Sequence, residues 1–587
     1  MNKTEQHRKK ANGVHYTPPA LAKHVALSIA QNYKFNGRPI RILDPAVGSG
    51  ELLSAIFTAC APYSVPITAT GFDTDSSALS VSAERLHTQY PSIALSLIHG
   101  DFLDSIQSSK GRGLFEDGVG SPELADIIIA NPPYVRTQAL GVSRVKELAE
   151  KFQLDGRVDL YQAFIKAISA SLKPGGIAGV IASNRFMSIK SGASTRLGIS
   201  QDFEILHVWD LGDTRLFEAA VLPAVLLLRR KGMHPCQSRS RFTSIYRVDD
   251  RAKNSDLVSV QGPCDALVHE GFVGTSDGEV LRVQHGHLEQ SQNGGTWRLS
   301  TQSSDSWLGE VADRTFGTFG DVGKIRVGVK STADSIFMRQ SWTTAAKSDL
   351  PELLLPVTTH HVARRYRSLP VERKILYPHI YRNGTRCVVD LDEFPITKRY
   401  LEQHRLALES RKYIKEGGRK WFELWVPQDP SAWKKPKIVF RDIAEQPTFW
   451  MDLDGTVING DCYWIAADND NIDSLWLILA VANSRFIENF YDHKFNNKLY
   501  SGRRRFMTQY VERFPLPDPT SPMAKRMVEL SKSLHSRASY DHSSSDTEEI
   551  EQLVGESFGV SGSFSGRRNS LGGVSESSYS QLSPQSA

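Results

Sequence analysis

The chain of 587 residues is poor in cysteine: Cys60, Cys236, Cys264, Cys387 and Cys462 lie far apart, and no CxxC pair occurs. An odd, dispersed set of thiols excludes a disulfide framework and offers no zinc-ligand spacing, so no metal is expected. Also missing is any run of about eighteen apolar residues, and the opening MNKTEQHRKKANG lacks the apolar stretch of a signal peptide. No membrane segment and a cytoplasmic location are the expectations. Net charge is only +5, so any contact with a polyanion must come from local basic patches and not from the field of the whole molecule. No internal repeat is present. What remains is ordinary for a globular protein, 40% apolar and 23% charged, at a length that implies two or three domains.

From about residue 37 to 230, apolar runs alternate with helical patterns: RILDPA, ITATGFD, LSLIHGDF, DIIIANPP, GIAGVIAS, ILHVWDLG and AVLLLRR. That alternation predicts an α/β, doubly wound, Rossmann-like sheet in a first domain of residues 1–235. Residues 236–300 are rich in Ser, Gln, Gly and Asp with little periodicity, and read as a connection or a loosely packed subdomain. A second globular region, 300–520, is rich in Arg, Lys, Trp and Tyr, and 536–587 is a Ser-rich, low-complexity tail expected to be disordered.

In DIIIANPPYV (126–135) a β-branched run meets two prolines. Pro132 has no N–H and cannot extend a ladder, so the strand must stop at Asn131. The prolines hold the backbone extended and present Asn131 and Tyr134 at the carboxyl end of a strand, where open α/β sheets place their ligands. A strand ending in a proline turn, capped by Asn131 with Tyr134 on the surface, accounts for these four residues equally well. Upstream, RILD runs into DPAVGSGELL, whose Gly48 and Gly50 let backbone approach a ligand. The third glycine of a dinucleotide fingerprint is replaced by Leu53. Asp44 at the strand end is awkward for a pyrophosphate but suits an ammonium group. Asp73, in GFDTD, stands where a carboxylate holds ribose hydroxyls. Asp101 and Phe102, in HGDF, are placed to accept from an adenine amine and pack its edge. An ammonium, a ribose and an adenine together describe S-adenosylmethionine. Each piece alone is weak, a lone GxG being more often a turn, but four occur in order on successive strands.

On these motifs the chain resembles the DNA adenine-N(6) methyltransferases in which cofactor motifs precede NPPY and target recognition follows both, and is similar to type II modification methylases of restriction systems. YTPPALAKHV, DPAVGSG, GFDTD, GDF, NPPY and LFEAAVLPAVLLLRR stand in the family's order from about 15 to 230. VGKIRVGVKSTADSIF, ILYPHIYRNG, KPKIVFRDI, LILAVANSRF and RFPLPDP resemble, more loosely, its carboxyl-terminal α+β target-recognition domain. The resemblance implies that Tyr16 and Thr17 touch the methionine carboxylate, that Ala46 and Pro133 join the cofactor site, and that Phe217 packs on the target base. The alternative for Thr17 is a helix N-cap before Pro18 and Pro19.

The chemistry explains NPPY. An exocyclic ring amine is a poor nucleophile because its lone pair is delocalised. Asn131 supplies one acceptor and the Pro132 carbonyl another, favouring a pyramidal nitrogen aimed at the sulfonium methyl, while Tyr134 stacks on the ring. The base must be flipped out of its duplex. NPPY also serves enzymes that methylate protein glutamine or RNA guanine. Arg364-Arg365-Tyr366-Arg367, Arg382, Arg386, Arg419-Lys420-Trp421 and Arg503-Arg504-Arg505-Phe506 shift the balance towards double-stranded DNA, although any single cluster reads as well as a solvated face. The expectation is a monomeric enzyme with a separate restriction endonuclease and no fused nuclease. The alternatives are an RNA base methyltransferase and a DNA-binding defence subunit that kept the fold.

Overall fold

The computed structural model describes residues 17–106, 124–133, 141–154, 160–217, 222–232, 239–248, 257–290, 294–339, 342, 350–469, 471–495, 499, 503–537 and 545–560. Strands β1 (Ile40–Asp44), β2 (Ile67–Asp73), β3 (Ala94–His99), β4 (Ala125–Ala130), β5 (Leu172–Ser183), β6 (Phe203–Asp210) and β7 (Pro223–Arg230) lie in the order β3-β2-β1-β4-β5-β7-β6. The first five are parallel, and β7 is antiparallel to both its neighbours. The chain leaves β1 in one direction towards β3 and returns on the other side at β4, so the crevice between β1 and β4 is the switch point where such sheets bind ligands.

The three isoleucines of β4 are wholly buried because the strand is central. Ile127 and Ile129 face α1 (Pro19–Asn32), α2 (Glu51–Cys60) and α3 (Ser76–Gln89), whereas Ile128 and Ala130 face the helices Leu160–Ser171 and Ala193–Asp202. Two-sided burial makes the strand a continuous apolar run instead of an alternating one.

The described residues between 241 and 300 are not a loose connection. Strands β8 (Arg241–Val248), β9 (Val258–Val260), β10 (Gly271–Thr275), β11 (Val280–Gln290) and β12 (Trp297–Ser300) continue the same sheet, β8 pairing in parallel with β6, to give twelve strands. Low hydropathy concealed them because some of their buried positions are polar and mutually paired. Thr243, wholly buried, bonds His207 Nε2 at 2.8 Å and His285 Nδ1 at 3.0 Å.

The second region carries two four-stranded sheets and a helical cluster around the buried helix Ile472–Ala482. It meets the first where Tyr510 Oη donates to the Ser188 carbonyl at 3.1 Å. The expected tail is folded in part. Ser545–Ser557 is a helix that packs Ile550, Val554 and the following Phe558 into that cluster, with Phe558 stacked on Phe486 at 4.3 Å. Its apolar residues recur four apart, a helical spacing that the flanking serines obscure. Residues 561–587 lie outside the described residues. No helix among the described residues is long and apolar enough to cross a membrane.

Candidate active site

Asp44 ends β1 and is wholly buried. Its Oδ1 accepts from the Ala46 N–H at 3.0 Å, while Oδ2 is buried with no hydrogen-bond partner. Burial pushes the carboxyl up to about 8; the Ala46 N–H pulls it down and Asp73 adds a further upward push. The loop turns through Gly48 and Gly50 at φ 51° and 78°, left-handed values that favour glycine. At Gly50 a Cβ would also lie 2.6 Å from Ser82 Oγ. Asp73, at the end of β2, fixes this loop by accepting from Gly48 N at 2.8 Å and from Asp75 N at 2.9 Å.

Asp101 caps the single-turn helix Phe102–Ser105 by accepting from Leu103 N at 2.9 Å, and its other oxygen pairs with Arg144 at 2.6 Å. Arg144 also binds Asp104 and Glu147, both at 2.8 Å. Phe102 is buried, edge-on to Phe72 at 5.5 Å; the half-buried Phe72 is the more accessible ring of the two.

At the end of β4 the Asn131 amide donates to Thr17 Oγ1 at 3.0 Å. Thr17 is itself buried, two residues before α1, whose N-cap is Pro18 and not Thr17. Pro132 is buried and Pro133 half-buried. The register pairs Leu43 with Ile128, so Asp44 lies beside Ile129 and Asn131 just beyond it on the same edge. Phe217 is buried in the cluster that contains Leu21 and Ala22 of α1. Thus α1 joins three motifs: Thr17 at its start holds Asn131, and its first turn shares a core with Phe217. Tyr16 and Tyr134 lie outside the described residues.

Several arginines read as phosphate contacts are spent inside the fold. Arg504 clamps Asp492 at 2.8 and 2.9 Å, and Arg505 pairs with Asp442 at 3.1 Å. Arg365 donates to the carbonyls of Pro447 and Asn483, Arg367 to that of Arg537, and Tyr366 is core. A guanidinium with five donors satisfies backbone carbonyls at loop junctions as well as it binds phosphate, and composition does not separate the two. Arg382, Lys420 and Arg503 are exposed. No cluster able to hold a metal occurs among the described residues.

Two family models match the chain: the Eco57I restriction-modification methylase over residues 92–217 and the TaqI-like C-terminal specificity domain over 389–516. The Type II methyltransferase M.BanIII of Aneurinibacillus aneurinilyticus is 35% identical over 94% of this chain and 98% of its own length. The chain belongs to the Type II restriction-modification methyltransferases. M.BstVI of Geobacillus stearothermophilus is 25% identical over 68% of each chain. In structure, a DrdV–DNA complex matches at TM-score 0.50 and 10% identity, covering 90% of this chain and 57% of that one, a likeness of fold alone. The protein is therefore an enzyme that methylates DNA, with a specificity domain carboxyl-terminal to its catalytic sheet.

Within this Type II methyltransferase, sequence reasoning did not foresee the Arg144–Asp101 pair or the buried polar group of Asn184, Asp210 and Tyr246. Asp210 carried a signal, since it ends an apolar strand in WDLG as Asp44 does in RILD. Arg144 carried none, because Asp101 and Asp104 belong to a single-turn helix some forty residues away.

Proposed function

We propose that the protein transfers the methyl group of S-adenosylmethionine to the exocyclic N(6) amine of an adenine flipped out of double-stranded DNA, as the modification enzyme that protects DNA from a separate endonuclease. The observation that carries this reading is the placing of Asn131, held by Thr17, on the same sheet edge as the buried Asp44 carboxyl.

The residues fit the cofactor. A buried carboxylate oxygen without a hydrogen-bond partner, Asp44 Oδ2, matches the ammonium of a methionine moiety, and Gly48 and Gly50 leave the loop free of side chains beside it. Asp73, with lone pairs beyond those given to Gly48 and Asp75, serves ribose hydroxyls. Asp101 serves the adenine amine. When bound, the cofactor supplies an already activated sulfonium methyl. The protein's part is positional. With the amide nitrogen of Asn131 committed to Thr17, its carbonyl is the acceptor for the target amine. The Pro132 carbonyl is a second acceptor, Tyr134 stacks on the base, and the α1 core fixes the frame in which they meet.

Expression in a methylation-deficient host followed by single-molecule sequencing tests the reading. Modified adenine at one short DNA sequence is expected; modification of cytosine, or of RNA only, overturns it.

Asp44→Asn is expected to weaken cofactor binding about ten- to a hundredfold, the worth of a charge-assisted bond of about 1.5–3 kcal/mol. Because burial holds the free Asp44 carboxyl near 8, it is mostly protonated near pH 7. An ammonium brought against it drives that proton off, so affinity should rise as pH is raised from about 6 towards 8. Calorimetry in buffers of different ionisation enthalpy should show proton release for wild type and none for Asp44→Asn. Equal proton uptake or release in both proteins rules the assignment out.

A further inference from the structure

On the face of the sheet that carries α1, strands β6, β8 and β11 lie side by side, and their register sets two rows of side chains next to each other. Arg241 pairs with His207 on one side and with His287 on the other; in the next row Thr243 pairs with Trp209 and with His285. Paired residues share a face, as do residues two apart on one strand, so all six stand together. They floor a cleft of about 570 Å³, one wall of which is the later part of α1 from His24 to Asn32. Two residues further along, the same face carries Ile245 paired with Val283, both wholly buried. The face turns from apolar to polar where the cleft lies.

The cleft is apart from the candidate cofactor edge. Asp44 and Asn131 stand at the ends of β1 and β4, whereas β5 and β7 separate β4 from β6. Over β5 lies α1, where Gly179 leaves room for it: a Cβ there would come 2.7 Å from Val25 and from Ile29. Inside the cleft, Trp209 is stacked on His207 at 3.8 Å and meets His24 edge-on at 4.9 Å. His285 Nε2 donates to the His269 carbonyl at 2.8 Å, so in a neutral ring its Nδ1 accepts the Thr243 proton and leaves the Thr243 oxygen to accept from His207 Nε2. That chain of bonds occupies His207, Thr243 and His285 and fixes the floor. Left over are His287 and Arg241, both exposed, and Arg241 makes no ion pair among the described residues. Burial lowers His24 to about 4, and burial with Arg241 nearby lowers His207 to about 3, so neither ring is charged near neutral pH. No carboxylate occurs among the described residues that line the cleft. The charge of Arg241 is therefore uncompensated there.

We propose that this cleft binds a small organic anion, with a carboxylate, sulfonate or phosphate head on Arg241 and His287 and an apolar body along Trp209 and Leu267, against α1. A volume of this size suits a small molecule, and a guanidinium fork takes carboxylate and phosphate alike. The inference does not depend on which base is methylated. DNA phosphate is the other anion within reach of such an enzyme, but the indole of Trp209, 6% exposed, lies too deep for the backbone of a duplex and is reached only by a molecule that enters the cleft.

The probe is 1-anilinonaphthalene-8-sulfonate, an aromatic sulfonate that fluoresces in apolar surroundings, titrated into the full chain. One saturable site is expected. Arg241→Gln removes the charge at an exposed residue and leaves the fold intact; His24→Leu keeps the bulk and removes the imidazole from the wall. Arg241→Gln should weaken the probe about tenfold, the worth of one charge-assisted hydrogen bond, and His24→Leu by less. If His24→Leu does not fold, Arg241→Gln alone decides. Benzoate and decanoate, a compact and a long-chain carboxylate, should both displace the probe, and the tighter of the two shows which kind of body the cleft takes. Saturating S-adenosylmethionine and a DNA duplex should leave it bound. No saturable site in wild type, or equal affinity in wild type and Arg241→Gln, would overturn the inference. Displacement by the duplex would make the patch part of the DNA interface, and displacement by S-adenosylmethionine part of the cofactor site; either overturns it as well.

Discussion

Replacing Asn131 by alanine is expected to lower the rate of methyl transfer about a hundred- to a thousandfold, the cost of removing one preorganised hydrogen-bonding group aimed at charge that develops in the transition state. Cofactor affinity should change little, because Asp44, Asp73 and the glycine loop lie on other strands and none depends on the Asn131 amide. The rate constant and not the affinity should carry the loss, the pattern of an interaction realised only in the transition state. Thr17→Val supplies the control. It leaves the Asn131 carbonyl in place but removes the oxygen that accepts from its amide at 3.0 Å, so the amide can turn its nitrogen towards the substrate. About a tenfold loss is expected, between wild type and Asn131→Ala. Single-turnover transfer above a tenth of wild type for Asn131→Ala would remove the residue from the mechanism.

The second large effect concerns the specificity domain. Lys437 and Asp452 face each other across paired strands at its centre, with 0% and 5% of their side chains exposed and 3.0 Å between Nζ and Oδ2. The ammonium also donates to the carbonyls of Trp433 at 2.6 Å and Lys435 at 3.3 Å, and Asp452 Oδ2 accepts from Thr456 Oγ1 at 2.8 Å. Asp452→Ala leaves that ammonium buried without a counter-charge, which costs about 3–5 kcal/mol. Burial alone already pulls Lys437 down, and Asp452 is what opposes it. Trp433, Trp450 and Trp464 are buried in the same core, so the urea midpoint read by tryptophan fluorescence should fall steeply. Sequence-specific DNA binding should be lost with it, while cofactor binding to the catalytic sheet persists. A midpoint shift worth less than about 1 kcal/mol would show that the pair is not what holds the domain.

The local geometry of the candidate site, its strand ends and its glycine turn, was legible in the sequence because its signals are local. A proline ends a strand wherever it stands, so the stop at Asn131 follows from Pro132. Gly48 and Gly50 mark a turn that other residues resist, and the acids Asp44, Asp73 and Asp101 each fall at the end of an apolar run or directly after it. The twelve-strand extent of the sheet was not legible in the same way. Its outer strands bury Thr243 and Ser244 and satisfy such groups by pairing across strands, and hydropathy scores a buried threonine as it scores an exposed one. The arginine clusters misled for a related reason. Arg504 and Arg365 look basic in sequence, but Asp492, 12 positions away, and the Pro447 carbonyl, 82 away, had already claimed them.

The sequence by itself determined the class of sheet, the order of its motifs and the residue types that chemistry demands at each strand end, since all of these rest on interactions spanning a few residues. Only the tertiary structure decided which of those residues meet. Thr17 and Asn131 are 114 positions apart, Asp210 and Tyr246 are 36, and Phe217 joins α1 across nearly two hundred. A hydroxyl or an amide has the same donors and acceptors whichever neighbour it finds. Its partner is selected by the packing of whole elements, through the large apolar area that sets α1 against the sheet, and the hydrogen bonds at the site are made where that packing brings their groups together.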